Sequence, residues 1–350
     1  MEEEKISPFQ ATALIAGSFL GSSIVMNPAA AAGADAWFSS LTAVVTGLVI
    51  VSMTAALAAI HPGKSLVEIL IACFGRTAGR IIGFGYLLFS IWLSSAVVLT
   101  FSYYNVTISY PETPTLYISI CYMLVIAFAV KIGLEVMGRI SEVLIIFVVI
   151  ITIVTFFSLM ANFHPDAFLP MFKDGLAKPV TAGLKDSTPF AEIFLALNIL
   201  PNLNDQKKTF RVTRNAVLLA GGIMFLFTIR NISVLGVDVA ARDVYPSEKV
   251  FRLMPGLDII PLLDINVIIT GIIKVSVALY ASAKILGDLF GLKEFKMFVL
   301  PLAALVTAVS VFVAGDFFSQ SFVVINILSI AYLPILIILP MILLIVSLKK

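Results

Sequence analysis

Two ionisable side chains interrupt apolar stretches of this sequence and could do chemistry there. Lys274 lies inside INVIITGIIKVSVALY, and Glu192 follows the stretch DSTPF at 186–190. An ionisable group within a membrane span is costly to bury and marks a functional site by default. Glu192 could accept hydrogen bonds from an unwound chain, bind a ligand amine or hold a proton. Lys274 could hold a cation position, or it could pack its stem and extend its head to the membrane surface.

The stretch AGSFLGSSIVMNP (16–28) places glycine and serine where a stable apolar helix would have leucine or valine. Glycine would let a ligand approach the backbone, and serine hydroxyls could satisfy freed carbonyl groups or bind a ligand. A helix that restarts beyond such a break offers N–H groups and a positive dipole end to a carboxylate. The alternative is that the small residues let helices cross closely. The predicted ligand contacts in this stretch are Gly17, Gly21, Ser22, Ser23 and Ile24.

A second weakened stretch, Asp186-Ser187-Thr188-Pro189, lies in the other half of the chain. Proline breaks the hydrogen-bond ladder of a helix, and the adjacent hydroxyls have no simple packing explanation. Broken helices at corresponding positions in two halves of a chain indicate a central binding site. The predicted ligand contacts in this stretch are Ser187, Thr188, Phe190 and Glu192.

Composition defines the elements that must position these residues. Hydrophobic residues make up 60% of the 350-residue chain, charged residues make up 13%, and the mean hydropathy is +1.07. Soluble domains contain about 45–50% apolar and about 25% charged residues. Apolar runs of about 20 residues recur along the chain, so we predict an all-α polytopic membrane protein, because helices satisfy their own backbone in lipid. The net charge of +2, without a dense basic cluster, argues against nucleic-acid binding.

Ten transmembrane helices are predicted, and the basic residues indicate their orientation. Most lysines and arginines outside the spans fall on the N-terminal side of the membrane, so both termini are predicted to be cytoplasmic. The acidic start MEEEK is unlike a cleavable signal peptide. The predicted spans cover residues 8–31, 37–60, 81–108, 115–131, 140–161, 181–202, 215–236, 261–288, 297–314 and 321–347.

The chain is predicted to form one transmembrane domain, 1–350, made of two repeats. The first repeat covers 8–161 and the second covers 181–347. Each begins with a weakened helix that four further spans follow. An odd number of spans per repeat turns the second copy upside down, which gives a five-plus-five inverted repeat with broken helices 1 and 6.

Two loops and several charges complete the predicted layout. Residues 64–80 have the apolar spacing of an amphipathic helix at the membrane surface, and residues 237–260 are predicted to form a cap over an outward-facing cavity. Arg230 is predicted to extend to the outer surface, and Asp264 to be solvated or to cap a helix. Lys284 and Asp288 are spaced to pair along the eighth span.

Three segments resemble the B subunits of spore germination receptors, within the amino acid–polyamine–organocation transporter superfamily. These segments are ISPFQATALIAGSFLGSSIVMNP at the N-terminus, GKSLVEIL in the amphipathic loop and TPFAEIFLALNILPNL in the sixth span. The resemblance covers essentially the whole chain in pattern and order. It implies the LeuT-like transporter fold, in which the first and sixth helices are broken.

The resemblance also implies roles for further residues. Sodium-coupled members of this fold hold a cation between helices one and eight, so the Lys274 ammonium would occupy or neighbour that position, as an ion substitute or a proton-linked group. A zwitterionic ligand would place its carboxylate at the N–H groups of residues 21–24. Its amine would lie near residues 187–190 or Glu192. The third and eighth helices would line the pocket through Ser94, Ser95, Val98, Ser276 and Tyr280, although such residues also serve as packing.

The function that this resemblance implies is nutrient sensing in the inner membrane of bacterial spores. Family members bind a small nutrient, often an amino acid, and act with an A subunit and a lipoprotein C subunit. The alternative is an autonomous proton-coupled amino-acid transporter. Neither hypothesis makes the protein an enzyme, and no cofactor is expected. His61 and His164 lie at opposite predicted faces of the bilayer, so no metal site is expected.

Overall fold

The computed structural model describes residues 4–24, 27–253, 260–292, 294–312 and 334–349, and its elements there are helical. One isolated parallel bridge joins Ile6 to Leu203. Seven of the described helical segments are long and apolar enough to cross a membrane. The α-helices are α1 (Pro8–Ser23), α2 (Ala36–Ile60), α3 (Leu66–Phe74), α4 (Arg76–Ile108), α5 (Thr115–Ile132), α6 (Leu134–Ser158), α7 (Ala177–Asp186), α8 (Thr188–Ala191), α9 (Thr209–Leu235), α10 (Val237–Arg242), α11 (Pro246–Arg252), α12 (Ile260–Phe290), α13 (Val299–Phe312) and α14 (Leu339–Leu348).

The predicted spans match these helices, with the largest differences at polar ends. Spans 37–60 and 115–131 agree with α2 and α5 to within one residue at each end. Three helices begin earlier than predicted, at Arg76, Leu134 and Thr209, because the polar residues that flank each apolar run remain helical. The end of the predicted ninth span and the first part of the tenth, within 313–333, lie outside the described residues.

Helix α1 ends later than the predicted break. A capping box starts it: Ser7 Oγ accepts from Gln10 N at 3.2 Å, and Gln10 Oε1 accepts from Ser7 N at 2.9 Å. The helix is regular through Gly21 and ends at Ser23, and a 3₁₀ helix, Pro28–Asp35, leads into α2. The break therefore follows the glycine and serine residues, because a helix tolerates small residues where a neighbouring helix packs against them.

The sixth predicted span consists of several helical pieces. Helix α7 ends at Asp186, Pro189 lies in the first turn of α8, and a 3₁₀ helix, Glu192–Asn198, follows. Proline suits the first turn of a helix, where its missing N–H is not needed. Ser187 keeps nearly helical dihedral angles (φ −79°, ψ −8°). The predicted break is therefore a change of helix type and not an extended gap.

Small residues bring the central helices together. Helix α12 packs against α1 and α4, and α2 packs against α7 and α9. A Cβ at Gly17 would lie 2.7 Å from the Ile273 side chain, and one at Gly47 would lie 2.5 Å from Phe190. Close packing drives helix association in a bilayer. Gly17 thus allows α1 to approach α12, and Gly47 allows α2 to approach α8.

Helix α3 lies within the amphipathic segment predicted at 64–80, but it is shorter and packed into the bundle. Ser65 and Glu68 form a capping box, and the helix ends before Gly75, whose φ of +82° favours glycine. Leu70 is 0% exposed, because α3 packs against the first turns of α4. The helix is thus confirmed over Leu66–Phe74, with its apolar side packed against the bundle, and its place at the membrane surface stays a prediction.

The predicted pair of Lys284 and Asp288 is confirmed. Lys284 Nζ lies 2.8 Å from Asp288 Oδ1. Ser65 Oγ donates to Asp288 Oδ2 at 2.6 Å. The pair therefore also links α3 to the end of α12.

Replacing Gly79 by alanine should push α3 away from α4. A Cβ at Gly79 would lie 2.7 Å from the Ile71 Cα, and backbone cannot rotate aside as a side chain can. We expect Gly79→Ala to lower the free energy of unfolding by about 1–3 kcal/mol. Gly85, also in α4, has no atom within 4 Å of its Cβ position, so Gly85→Ala is the matched control. Equal losses in denaturant unfolding of the two variants would contradict this packing.

Helices α10 and α11 lie in the described part of the segment 237–260, for which a cap over an outward-facing cavity stays a prediction. Tyr245, between the two helices, meets Tyr104 edge-on with ring centroids 5.3 Å apart. Tyr104 Oη donates to Asp264 Oδ1 at 2.8 Å, and Ser109 Oγ donates to Asp264 Oδ2 at 2.8 Å. Asp264 is thus tied to α4, which corrects the expectation that it is solvated or caps a helix.

The prediction that Arg230 extends to the outer surface is wrong. Its side chain is 1% exposed and donates to Asn231 Oδ1 (3.2 and 3.0 Å) and to Ser247 Oγ (2.9 Å). The guanidinium carbon lies 4.8 Å from the ring centroid of Phe227 and 5.0 Å from that of Phe251. Helix α11 covers the guanidinium and supplies Ser247 and Phe251, which is why the charge can stay inside.

Candidate functional site

A buried ion pair joins the eighth predicted span to the sixth. Lys274 Nζ on α12 lies 3.0 Å from Glu192 Oε1 and 2.8 Å from Glu192 Oε2. The two side chains are only 2% and 12% exposed. Each charge compensates the other, and the loss of either would leave an unpaired charge in an apolar core. The structure therefore excludes a Lys274 head at the membrane surface.

Gly21 provides the surface against which the Lys274 stem lies. A Cβ at Gly21 would lie 2.4 Å from Lys274 Cδ and 2.6 Å from Lys274 Cβ. Gly17, one turn earlier, meets Ile273 in the same way. Of the two interpretations of these glycines, the geometry supports close helix packing. The lysine stem covers the backbone that Gly21 leaves open. The Lys274 side chain therefore lies in the interface between α1 and its own helix, α12.

The backbone groups predicted to bind a carboxylate are engaged within α1. Ile24 N donates to Leu20 O at 3.2 Å, and Ser23 Oγ donates to Phe19 O at 3.1 Å. The N–H groups of residues 21–24 therefore complete the last turn of a helix, which corrects their predicted role. The side chain of Ser22 lies outside the described part of the structure.

Asn27 is a candidate site residue outside the predicted set of ligand contacts. It follows the end of α1, and its Oδ1 accepts a hydrogen bond from Thr228 Oγ1 at 3.2 Å. Its Nδ2 is buried and has no hydrogen-bond partner among the described residues. Ser40 Oγ donates to Thr228 Oγ1 at 3.0 Å, so this polar group joins the break to α2 and α9. The asparagine in the apolar run IVMNP is the signal that could have indicated it.

Phe190 lies between α1 and α2 and is fully buried. Its ring meets Phe19 edge-on with centroids 5.1 Å apart, and Gly47 leaves room for it. Ser187 and Thr188 do not turn toward α1. Each hydroxyl donates to the carbonyl three residues earlier, at 2.7 and 2.6 Å. The two hydroxyl groups, which were predicted to contact a ligand, thus close the local turn instead.

The predicted third-span residues lie between two contacts of α4 with α12. Ser90 Oγ donates to Ala278 O at 2.8 Å, and Phe101 fits against Gly271. Lys274 lies between Gly271 and Ala278 along α12. The residues at its level on α4 are Ser94, Ser95 and Val98, all buried. Both serine hydroxyls donate at 2.9 Å to the carbonyl four residues earlier.

Ser276 and Tyr280 do not face the ion pair. Two residues turn an α-helix by about 200°, so Ser276 points away from the side of α12 that carries Lys274. Its buried hydroxyl has no hydrogen-bond partner within the described ranges. Tyr280 packs edge-on against Phe295, with ring centroids 5.5 Å apart. The helical period thus corrects the placement of both residues in a shared pocket with Glu192.

Asp186 is a second acidic residue of the sixth span, and it was predicted only as part of the break. Its side chain is 3% exposed. Across the described chain, its carboxylate makes neither a hydrogen bond nor an ion pair. No group of three or more histidine, cysteine, aspartate or glutamate side chains in the described residues could hold a metal ion.

The fold has counterparts among solved membrane transporters. A nucleobase-cation-symport-1 family transporter in a closed conformation with bromovinylhydantoin bound matches with a TM-score of 0.68 at 12% identity, over 89% of this chain and 74% of that one. A substrate-bound, outward-open sodium-coupled sialic acid symporter matches with 0.69 at 10% identity, over 96% and 80%. MhsT in complex with L-phenylalanine matches with 0.67 at 12% identity, over 100% of both chains. The chain therefore has the predicted LeuT-like transporter fold.

Within that class, the chain belongs to the spore germination protein family. The family model for spore germination proteins matches residues 5–317. Spore germination protein KB of Bacillus subtilis (strain 168) is 28% identical over 362 residues, which cover 100% of this chain and 96% of that protein. The resemblance drawn from the N-terminal, amphipathic and sixth-span segments is confirmed.

Proposed function

We propose that the chain is the nutrient-sensing membrane subunit of a spore germination receptor. It binds a small nutrient such as an amino acid where the first and sixth spans break, and it signals to A and C partner subunits. The observation that carries the proposal is the buried Lys274–Glu192 pair, which fastens α12 to the sixth span at the end of α1. Membership of the germination family and a fold whose solved examples hold bromovinylhydantoin and L-phenylalanine support it.

The Lys274 ammonium serves as a built-in cation in this proposal. Its stem lies on Gly21 of α1 and its head lies on Glu192. This fixed positive charge holds α12 to the sixth span beside α1 without a bound metal ion. A ligand bound at the breaks would then change the packing around this charge. It would not compete with an inorganic ion.

The signal would leave the site along the sixth span. The 3₁₀ helix that begins at Glu192 continues toward Asn202, where the N-terminal segment pairs with it. Ile6 N donates to Asn202 O at 2.9 Å, and Asn204 N donates to Ile6 O at 3.0 Å. A shift of this helix on ligand binding would move the N-terminal segment at the surface. Partner subunits could respond to that movement.

The proposed setting is the inner membrane of the spore, with both termini in the cytoplasm. The protein would bind its ligand without a cofactor and without changing it chemically. The charge bias of the loops supports this orientation, and the family membership supports the location.

The thermal unfolding of the purified chain in lipid nanodiscs would test the proposal with a panel of amino acids and small nutrients. A ligand at one hundred times its Kd stabilises a protein by about 2.7 kcal/mol. We expect a stabilising ligand whose effect is lost when Lys274→Met is combined with Glu192→Gln. The matched control combines Lys284→Met with Asp288→Asn, which removes an ion pair elsewhere on α12. If no nutrient stabilises the chain alone or together with its partner subunits, the proposal fails.

The second candidate function is an autonomous proton-coupled amino-acid transporter. The transporter fold, shared with a sodium-coupled symporter, favours it, and so does the expectation that the buried Lys274 ammonium takes the place of a bound cation. Proteoliposomes that contain only this chain distinguish the two functions. Uptake of a labelled ligand under an imposed proton gradient would favour the transporter, and binding without uptake would favour the sensor.

A further inference from the structure

Asp186 is a buried carboxylate whose charge no described side chain compensates. It ends α7, and its side chain is 3% exposed. The other acidic residue of the sixth span, Glu192, is held by Lys274 at 2.8 Å. A carboxylate that is buried without a partner is costly and requires either a proton or an external cation.

The hydroxyl groups of α2 near Asp186 already donate elsewhere. Gly183, one turn before Asp186, rests on the Ser39 carbonyl and the Thr42 side chain. Ser39 Oγ donates to the Pro179 carbonyl at 2.8 Å, and Thr42 Oγ1 donates to a carbonyl of its own helix at 2.9 Å. The next hydroxyl along α2 likewise donates within its own helix, at 2.8 Å. None of these three hydroxyl groups therefore donates to Asp186.

No described cation offsets the charge from the elements packed around Asp186. Helices α1 and α2 contain no charged residue. The 3₁₀ helix between them contributes only Asp35, whose Oδ1 accepts a backbone hydrogen bond at 2.8 Å. Lys185, the adjacent residue, is exposed, and Lys274 is paired with Glu192. The local charge around Asp186 is therefore negative.

Two helix ends add to this negative character. Phe190, one turn after Asp186, contacts Phe19, which lies one turn before the end of α1. The C-terminal end of α1 thus lies beside α8, which follows the C-terminal end of α7 after one residue. The carbonyl groups at a helix C-terminus carry partial negative charge and favour cations.

We propose that Asp186 binds the primary ammonium group of the ligand. This inference rests on the proposed function, because it places that group at the break of the sixth span. Glu192 is occupied by Lys274, and the Ser187 and Thr188 hydroxyls donate to local carbonyls. Asp186 is the carboxylate that remains for an amine. The ligand class is therefore an amino acid or another small primary amine.

Ethylammonium chloride is the probe for this assignment, with sodium chloride at equal concentration as the ionic-strength control. The full chain in neutral lipid nanodiscs should show a saturable rise in its unfolding midpoint with ethylammonium. Asp186→Asn removes the charge at nearly constant volume and should weaken the apparent affinity roughly 10- to 100-fold. Asp288→Asn, which changes a paired carboxylate elsewhere, should keep the wild-type response.

Equal responses of wild type and Asp186→Asn would overturn the assignment, as would a wild-type response no larger than that to sodium chloride. If Asp186→Asn does not fold, carbodiimide labelling of the wild-type chain provides a second measurement. Ethylammonium should slow the modification of residue 186, and an unchanged rate would overturn the assignment.

The same experiment separates this inference from the proposed function. Amino acids that stabilise wild type and Asp186→Asn equally would leave nutrient binding intact and remove the ammonium assignment. An Asp186-dependent ethylammonium response without any response to nutrients would keep the cation site and remove the nutrient-sensing proposal.

Discussion

Replacing Lys274 alone by methionine is expected to destabilise the protein by about 3–5 kcal/mol, because the Glu192 carboxylate would stay buried without its partner. Methionine fills most of the space of the lysine stem, so the loss reports on the charge and not on a cavity. Replacing both residues by methionine should restore most of the stability, since a well-packed apolar pair often matches a buried ion pair. Denaturant unfolding of the two single variants and the double variant measures the coupling directly.

The Lys284–Asp288 pair on the same helix supplies the control. Lys284 is 29% exposed, whereas Lys274 is 2% exposed, and a partly solvated pair contributes about 0–1 kcal/mol. Lys284→Met should therefore cost much less than Lys274→Met. Similar costs for the two variants would mean that Glu192 finds another partner or a proton when Lys274 is removed.

The double methionine variant also separates stability from signalling. It should fold, yet it lacks the fixed positive charge that holds α12 to the sixth span. If Lys274 acts only as a structural fastening, the variant should retain ligand binding. If the charge is part of the site, binding should be lost while the fold persists.

Long apolar segments were predictable because their length follows from the thickness of the bilayer. The limits of α5 show this, since Pro114 precedes the helix directly and Gly133 follows it. Arg230 shows where such reasoning fails. Its position near a span end predicts a side chain that reaches water, but α11 folds over it and provides neutral partners. That cover depends on tertiary structure and leaves no mark in the local pattern.

The helices that form the candidate site could be predicted from the sequence, but the contacts between their side chains could not. Lys274 and Glu192 each stand out as charges in apolar runs, yet 82 residues separate them and no local spacing joins them. Ser276 shows the opposite case, because its distance from Lys274 along the helix already turns it to the other side. Gly21 allowed two interpretations, and only the position of the lysine stem decides between them.

Replacing Gly21 by alanine is expected to lower the free energy of unfolding by about 2–5 kcal/mol. The added methyl carbon would lie 2.6 Å from Lys274 Cβ, an atom that cannot move unless α12 moves too. Separation of the helices would also pull the ammonium away from Glu192. Gly222→Ala in α9, with no atom within 4 Å of its Cβ position, is the matched control and should be neutral or stabilising by up to about 1 kcal/mol.

The combination of Gly21→Ala with Glu192→Gln tests the cause of that loss. Both substitutions act on Lys274, one by displacing its stem and the other by removing its partner, so their costs should be less than additive. Additive costs would mean that Gly21 packs independently of the ion pair. A Gly21→Ala variant that keeps its stability but loses its ligand response would show instead that the space at Gly21 belongs to the ligand and that Lys274 lies elsewhere when the ligand binds.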